Sequence, residues 1–121
     1  MELKIYTPIM AYNGKDTAME VEVVADGENK KQVMTPILFS KIIGVAISNE
    51  VEGHPFTTDE KVMAYVIGTK CFGKDPASEE EAKNFSVNIT NNEIVFLTKQ
   101  IGLIYTPLVY GRWREFVGDL K

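Results

Sequence analysis

The sequence predicts an α+β fold: an antiparallel β-sheet built from hairpins, packed with two to four helices, in a single domain covering residues 1–121. Three observations predict it. Apolar residues recur at every second position early in the chain, the period of strands. Threonine and serine precede later segments that carry the 3.6-residue period of helices. No Gly/Ser-rich linker, low-complexity tract or charged tail divides the chain, and 121 residues is the usual size of one domain.

From Glu2 to Tyr12, Leu3, Ile5, Thr7, Ile9 and Ala11 alternate with the intervening residues, and Asn13–Gly14 then supplies a tight-turn signal. Thr17 to Ala25 alternates again, with Met19, Val21 and Val23 opposite Glu20 and Glu22. The pair reads as a hairpin with one solvated face. Pro8 cannot donate a ladder hydrogen bond, which puts its strand at an edge or gives it a bulge. Asp26 to Asn29 is a second turn, leading into a short strand at Lys31 to Met34. Thr35 and Pro36 fit the N-cap and first position of a helix with Leu38, Ile42 and Val45 on one face. β-branched residues make a strand from Lys41 to Ser48 the competing reading.

Thr57 with Glu60 forms a capping box ahead of Val62, Met63, Val66 and Ile67, which are expected to face inward, and Gly73 ends that helix. Ser78 with Glu81 repeats the box for a short helix with Ala82 and Phe85 inward. Residues 85–90 and 93–98 read as a hairpin about Asn91–Asn92, although Thr90 with Glu93 would equally cap a helix running to Ile104. The density of β-branched and aromatic residues favours strands. A final helix is capped by Thr106 with Pro107 in the first position, and sets Val109, Trp113, Phe116, Val117 and Leu120 on one face. Gly111 inside it would mark a close backbone approach or a fraying point. Thr–Pro recurs at residues 7, 35 and 106, at unequal spacings that exclude a solenoid repeat.

Hydrophobic residues at 45% and charged residues at 25% describe a folded globular chain. One cysteine precludes an intrachain disulfide and points to a reducing, cytoplasmic compartment; residues 1–5 show no secretion signal, and no apolar stretch reaches the length of a bilayer span. The net charge of −4 disfavours binding to a nucleic-acid duplex. The distribution is uneven: acids predominate up to residue 98, whereas bases outnumber them from Lys99 onward, where both arginines lie.

A metal site needs three or four clustered ligands, and one histidine with one cysteine excludes structural zinc; an all-carboxylate Mg²⁺ or Ca²⁺ site is the remaining alternative, and no metal or cofactor is expected. Glu79, Glu80 and Glu81 read as a solvated first helical turn. No glycine-rich loop of a phosphate-binding type opens a helix. The sequons at Asn84 and Asn88 would matter only in a secreted protein. The most specific enzymatic alternative is a small cysteine-dependent hydrolase using Cys71 and His54, although no flanking signature accompanies the pair and the bland reading of Cys71 is a buried apolar side chain.

One local feature stands above the background, Tyr110, Arg112, Trp113 and Arg114. A guanidinium forks onto phosphate or carboxylate while an aromatic face stacks on a base, and the same residue types anchor protein interfaces. The competing reading places Trp113 in the core and pairs the arginines with Glu115 and Asp119. The expectation is a small acidic, cytoplasmic, homo-oligomeric protein without catalytic residues. It would sequester or block a partner, either a protein surface or an anionic nucleotide-like small molecule, through its oligomer surface and these four residues.

Overall fold

A computed structural model describes residues 1–119, leaving the expected inward position of Leu120 outside the described residues. The order is β1 (Glu2–Leu3), β2 (Met19–Asp26), β3 (Asn29–Pro36), α1 (Phe39–Ser48), α2 (Thr58–Phe72), α3 (Glu79–Asn84), β4 (Val87–Asn88), α4 (Asn91–Ile104) and α5 (Pro107–Phe116). The class is α+β: among the described residues two separate two-stranded antiparallel sheets, β1 with β4 and β2 with β3, accompany five helices around one apolar core.

The N-terminal segment is not one strand of a long hairpin. Glu2 and Leu3 pair with Asn88 and Val87, after which Thr7 turns back on Lys4 through its N–H and its hydroxyl and Pro8 bridges Leu38. Leu3, Ile5 and Ile9 are buried as the alternation predicts, and a single bridge, Met10 to Thr17, closes the turn in which Gly14 takes φ of 71°. The full hairpin lies one step later, where Met19–Asp26 pairs residue by residue with Asn29–Pro36. Gly27, at φ of 66°, opens its two-residue turn, a position that suits glycine because it has no Cβ to clash.

The anticipated helix over residues 36–48 is real but starts later. Pro36 ends β3 and Leu38 precedes α1 without a side-chain cap; Phe39, Ser40, Ile42, Ile43 and Ala46 are the residues it buries. In α2 the Thr57–Glu60 box forms reciprocally and Gly73 closes the helix, yet Ala64, Ile67 and Cys71 face the core while Val62 and Val66 do not. The inward face is rotated by about one residue from the expected one. Ser78 accepts from the Glu81 N–H, whereas the Glu81 carboxylate takes the Ala77 N–H instead of closing the box. Ala82 and Phe85 are half-buried, and the Phe85 ring meets Tyr6 edge-on.

The second expected hairpin is overturned: residues 91–104 are helical. Thr90 and Glu93 form the capping box, Asn91 and Asn92 sit exposed in the first turn, and Ile94, Leu97 and Ile101 recur on the buried side. Burial of that face against α1, α2 and α5 outweighs the modest reluctance of Ile94 and Val95 to be helical. In α5, Pro107 occupies the first turn and Val109, Trp113 and Val117 are buried as expected. A Cβ on Gly111 would meet nothing; between α4 and α5 the close approach is at Gly102, where it would lie 3.0 Å from the Tyr110 ring.

Candidate protein-binding surface

The four residues singled out in the C-terminal segment do not form one patch. Trp113 is fully buried, flanked by Phe39 and Phe116 and donating its indole N–H to the Thr98 hydroxyl at 2.9 Å. It offers no face on which a ligand could stack. Arg112 turns back on the N-terminal segment, with Nε donating to the Met10 carbonyl at 3.1 Å, Nη2 to the Ala11 carbonyl and Nη1 to Glu115. That guanidinium ties α5 to the loop before β2. Arg114 lies over the Tyr110 ring, donates to its hydroxyl at 3.2 Å and pairs with Asp119. The two arginines open onto different grooves, one shared with Tyr12 and Leu108, the other with Asn91 and Val95. Each is accompanied by a carboxylate that offsets its charge.

Cys71 is fully buried, and burial above all, with Glu93 adding to it against the opposing Lys70, pushes its thiol up to about 11. At neutral pH it carries almost no thiolate, the nucleophilic form. His54 is exposed in the loop after α1, its backbone N–H closing a turn onto Val51. Among the described residues no three histidine, cysteine or acidic side chains gather as metal ligands, and no helix is long and apolar enough to cross a membrane.

Two surfaces escaped the sequence reading. The first is the outer side of α2. Val62, Tyr65, Val66, Thr69 and Phe72 recur at spacings of three and four and so share one stripe. Tyr65 is 73% exposed, Val62 60%, Phe72 39% and Val66 37%. Phe72 reaches over Gly44, where it forms one wall of an open, mainly apolar groove of about 430 Å³ with Ser40, Val45, Ser48 and Asn49. Lys41 lines this groove and also the next one, with Glu20, Glu22 and Leu38 at the base of the hairpin. Its ammonium meets Glu20 at 2.6 Å. Lys41 and its ion pair thus lie between the groove beside α2 and the one at the base of β2. The second surface is the hairpin itself, expected to have one solvated face: Val21, Val23 and Met34 are each more than half exposed, so the apolar face meets solvent as well as the acidic one.

The α2 stripe was concealed in the sequence because apolar residues surround that helix: Met63, Ala64, Ile67 and Cys71 on the core side, Val62, Tyr65, Val66 and Phe72 on the other. A helix apolar on both sides has no single periodic face to read. Burial of one side by α1 and α4 is what separates them.

No protein-family model matches the chain, and searches of curated proteins and of solved structures likewise return no match.

Proposed function

We propose that this is a small binding protein that acts without chemistry, by occupying the surface of a protein partner and so blocking or sequestering it. The observation that carries this reading is the solvent-facing stripe of Val62, Tyr65, Val66 and Phe72 on α2, continuous with the groove over Gly44. Apolar area held in contiguous form on a folded surface is unfavourable unless something covers it, and such patches mark interaction sites. Tyr65 is the central anchor, since a tyrosine combines a large apolar face with a hydroxyl at modest entropic cost. Asp59, Lys61 and Lys74 flank the stripe along the sequence, and polar residues at the edge of an apolar centre are usual for interfaces. The working surface is therefore assigned to α2 and α1, while Trp113 fills the core and Arg112 ties α5 to residues 10–11.

The test is comparative affinity capture from cells with the wild-type chain and Tyr65→Glu, followed by titration of the purified captured protein. A charge at the centre of the stripe is expected to weaken binding by roughly 30-fold or more, the loss typical of an interface anchor. Equal affinity of the two proteins for every captured partner would refute the assignment.

A further inference from the structure

The hairpin β2–β3 carries an inference independent of the α2 stripe. Asp26 and Asn29 flank a two-residue turn, so they are a hydrogen-bonded pair, and with the unbroken register the bonded and non-bonded pairs alternate from there. Met19, Val21, Val23 and Ala25 then fall at non-bonded pairs, and their backbone N–H and C=O groups point away from β3. Among the described residues no backbone group bonds to those of Val21, Val23 or Ala25. On the opposite edge the outward residues are Lys30, Gln32, Met34 and Pro36. That edge is blunted by a proline, which has no N–H, and by lysines, the usual protections against strand addition. The β2 edge has neither.

Side chains beside the open edge alternate sharply. One face carries Met19, Val21, Val23 and Ala25, the other Glu20, Glu22, Val24 and Asp26. An isolated two-stranded ribbon is at best marginal in water, and three strands with an apolar face are far more stable. A second copy of the chain is a poor third strand. In a two-fold antiparallel pairing of β2 with itself, centring on Val21 sets Glu20 opposite Glu22, centring on Glu22 sets that residue opposite itself, and centring on Val23 sets Glu20 opposite Asp26. Centring on Val24 sets Glu22 opposite Asp26. Like charges directly opposite are destabilising, so the acidic pattern works against every such register.

We infer that the β2 edge accepts an extended segment of a partner protein in which apolar residues alternate with lysine or arginine. Backbone groups of Val21, Val23 and Ala25 would supply the ladder. The apolar side chains of the segment would lie beside Val21 and Val23, and its basic side chains beside Glu22 and Asp26, while Glu20 already faces Lys41.

The probe is a fluorescein-labelled nine-residue peptide alternating valine and arginine. Its controls are the same composition with valines and arginines in two blocks, and the alternating peptide with glutamate for arginine. Fluorescence anisotropy is expected to show at least tenfold tighter binding of the alternating basic peptide than of either control. Glu22→Lys should remove that preference over the acidic peptide. Val23→Pro, which deletes an outward N–H without touching the hairpin's own ladder, should abolish binding, whereas Gln32→Pro on the other edge and Tyr65→Glu on α2 should leave it unchanged. Amide exchange on the wild-type protein avoids reliance on any variant's folding: the Val21 and Val23 amides should become protected when the alternating basic peptide is added. Equal binding of the blocked peptide, or no new protection at Val21 and Val23, would overturn the inference. So would a wild-type dimer in sedimentation that Val23→Pro dissociates, because the edge would then be closed by a second copy.

Discussion

Glu93 does two jobs at the junction of α2 and α4, and its replacement by glutamine separates them. Its carboxylate accepts from the Thr90 N–H at 2.8 Å to complete a helix cap and accepts from the Lys70 ammonium of α2, also at 2.8 Å. Glu93→Gln keeps the cap, since glutamine serves at that position of a capping box, but removes the negative charge facing Lys70. A hydrogen bond between charged groups contributes about 1.5–3 kcal/mol. Lys70 is one-third exposed and can turn to water, which places the expected loss near the lower end, about 2 kcal/mol. For a chain of this length that lowers Tm by roughly 6–10 °C. The pH dependence is the sharper test. Burial by itself would raise the Glu93 carboxyl, but the bonds from Lys70 and Thr90 outweigh it and hold the group below its ordinary 4.5. A carboxyl depressed on folding contributes stability that is fully present above its unfolded value and is lost as pH falls through the folded one. The gap between wild type and Glu93→Gln should therefore be constant above about pH 5 and close progressively below about pH 4.5. Glu60, also depressed, chiefly by the Thr57 N–H and then by Lys99, is common to both proteins and cancels in the difference. Urea unfolding followed through Trp113, the single tryptophan and fully buried, measures the gap. A gap unchanged down to about pH 3, or absent at neutral pH, would refute the reasoning.

Three further outcomes follow from the packing. Gln100 is fully buried in α4 and both polar atoms of its amide lack a hydrogen-bond partner among the described residues; Gln100→Leu should raise stability by about 1–2 kcal/mol in the same urea assay, and a comparable loss would show that the amide is satisfied. Arg112→Ala leaves the Met10 and Ala11 carbonyls without their guanidinium partner and should cost about 1–2 kcal/mol by thermal melting, an effect absent if the residue served only to hold a ligand. Cys71, buried and with its thiol raised, should react with a disulfide reagent at neutral pH at least ~100-fold more slowly in the folded protein than in urea. Equal rates would place the thiol at the surface.

Local chemistry was legible at several caps and turns, although Thr35 and Pro36 end a strand instead of starting a helix and Thr106 precedes α5 without a side-chain cap bond. Thr57 with Glu60, Gly73, Gly27 in its turn and Pro107 at the start of α5 all do what their residue types dictate, because a cap or a turn is settled within four residues. The Thr90–Glu93 box was legible too, and the β-branched residues that argued against it were the weaker signal. A reciprocal cap fixes two donors, whereas β propensity is largely a record of packing partners that a helix can replace. For the candidate site, Trp113 and Arg112 carried a signal of function in their residue types, and their surroundings turned one into core and the other into a tie between α5 and residues 10–11. Nothing in residue type separates a binding arginine from one that holds carbonyls a hundred positions away.

The sequence by itself determined the α+β class, the caps and turns that bound several elements, and the acidic balance of the chain, since each depends on residue identity or on neighbours along the backbone. The tertiary structure alone decided which side of α2 meets solvent, where the strand partners lie, and that the Val21 and Val23 edge of the hairpin stays open. Those outcomes depend on which surfaces the remaining elements cover, and burial is shared among distant segments, so no local pattern encodes it.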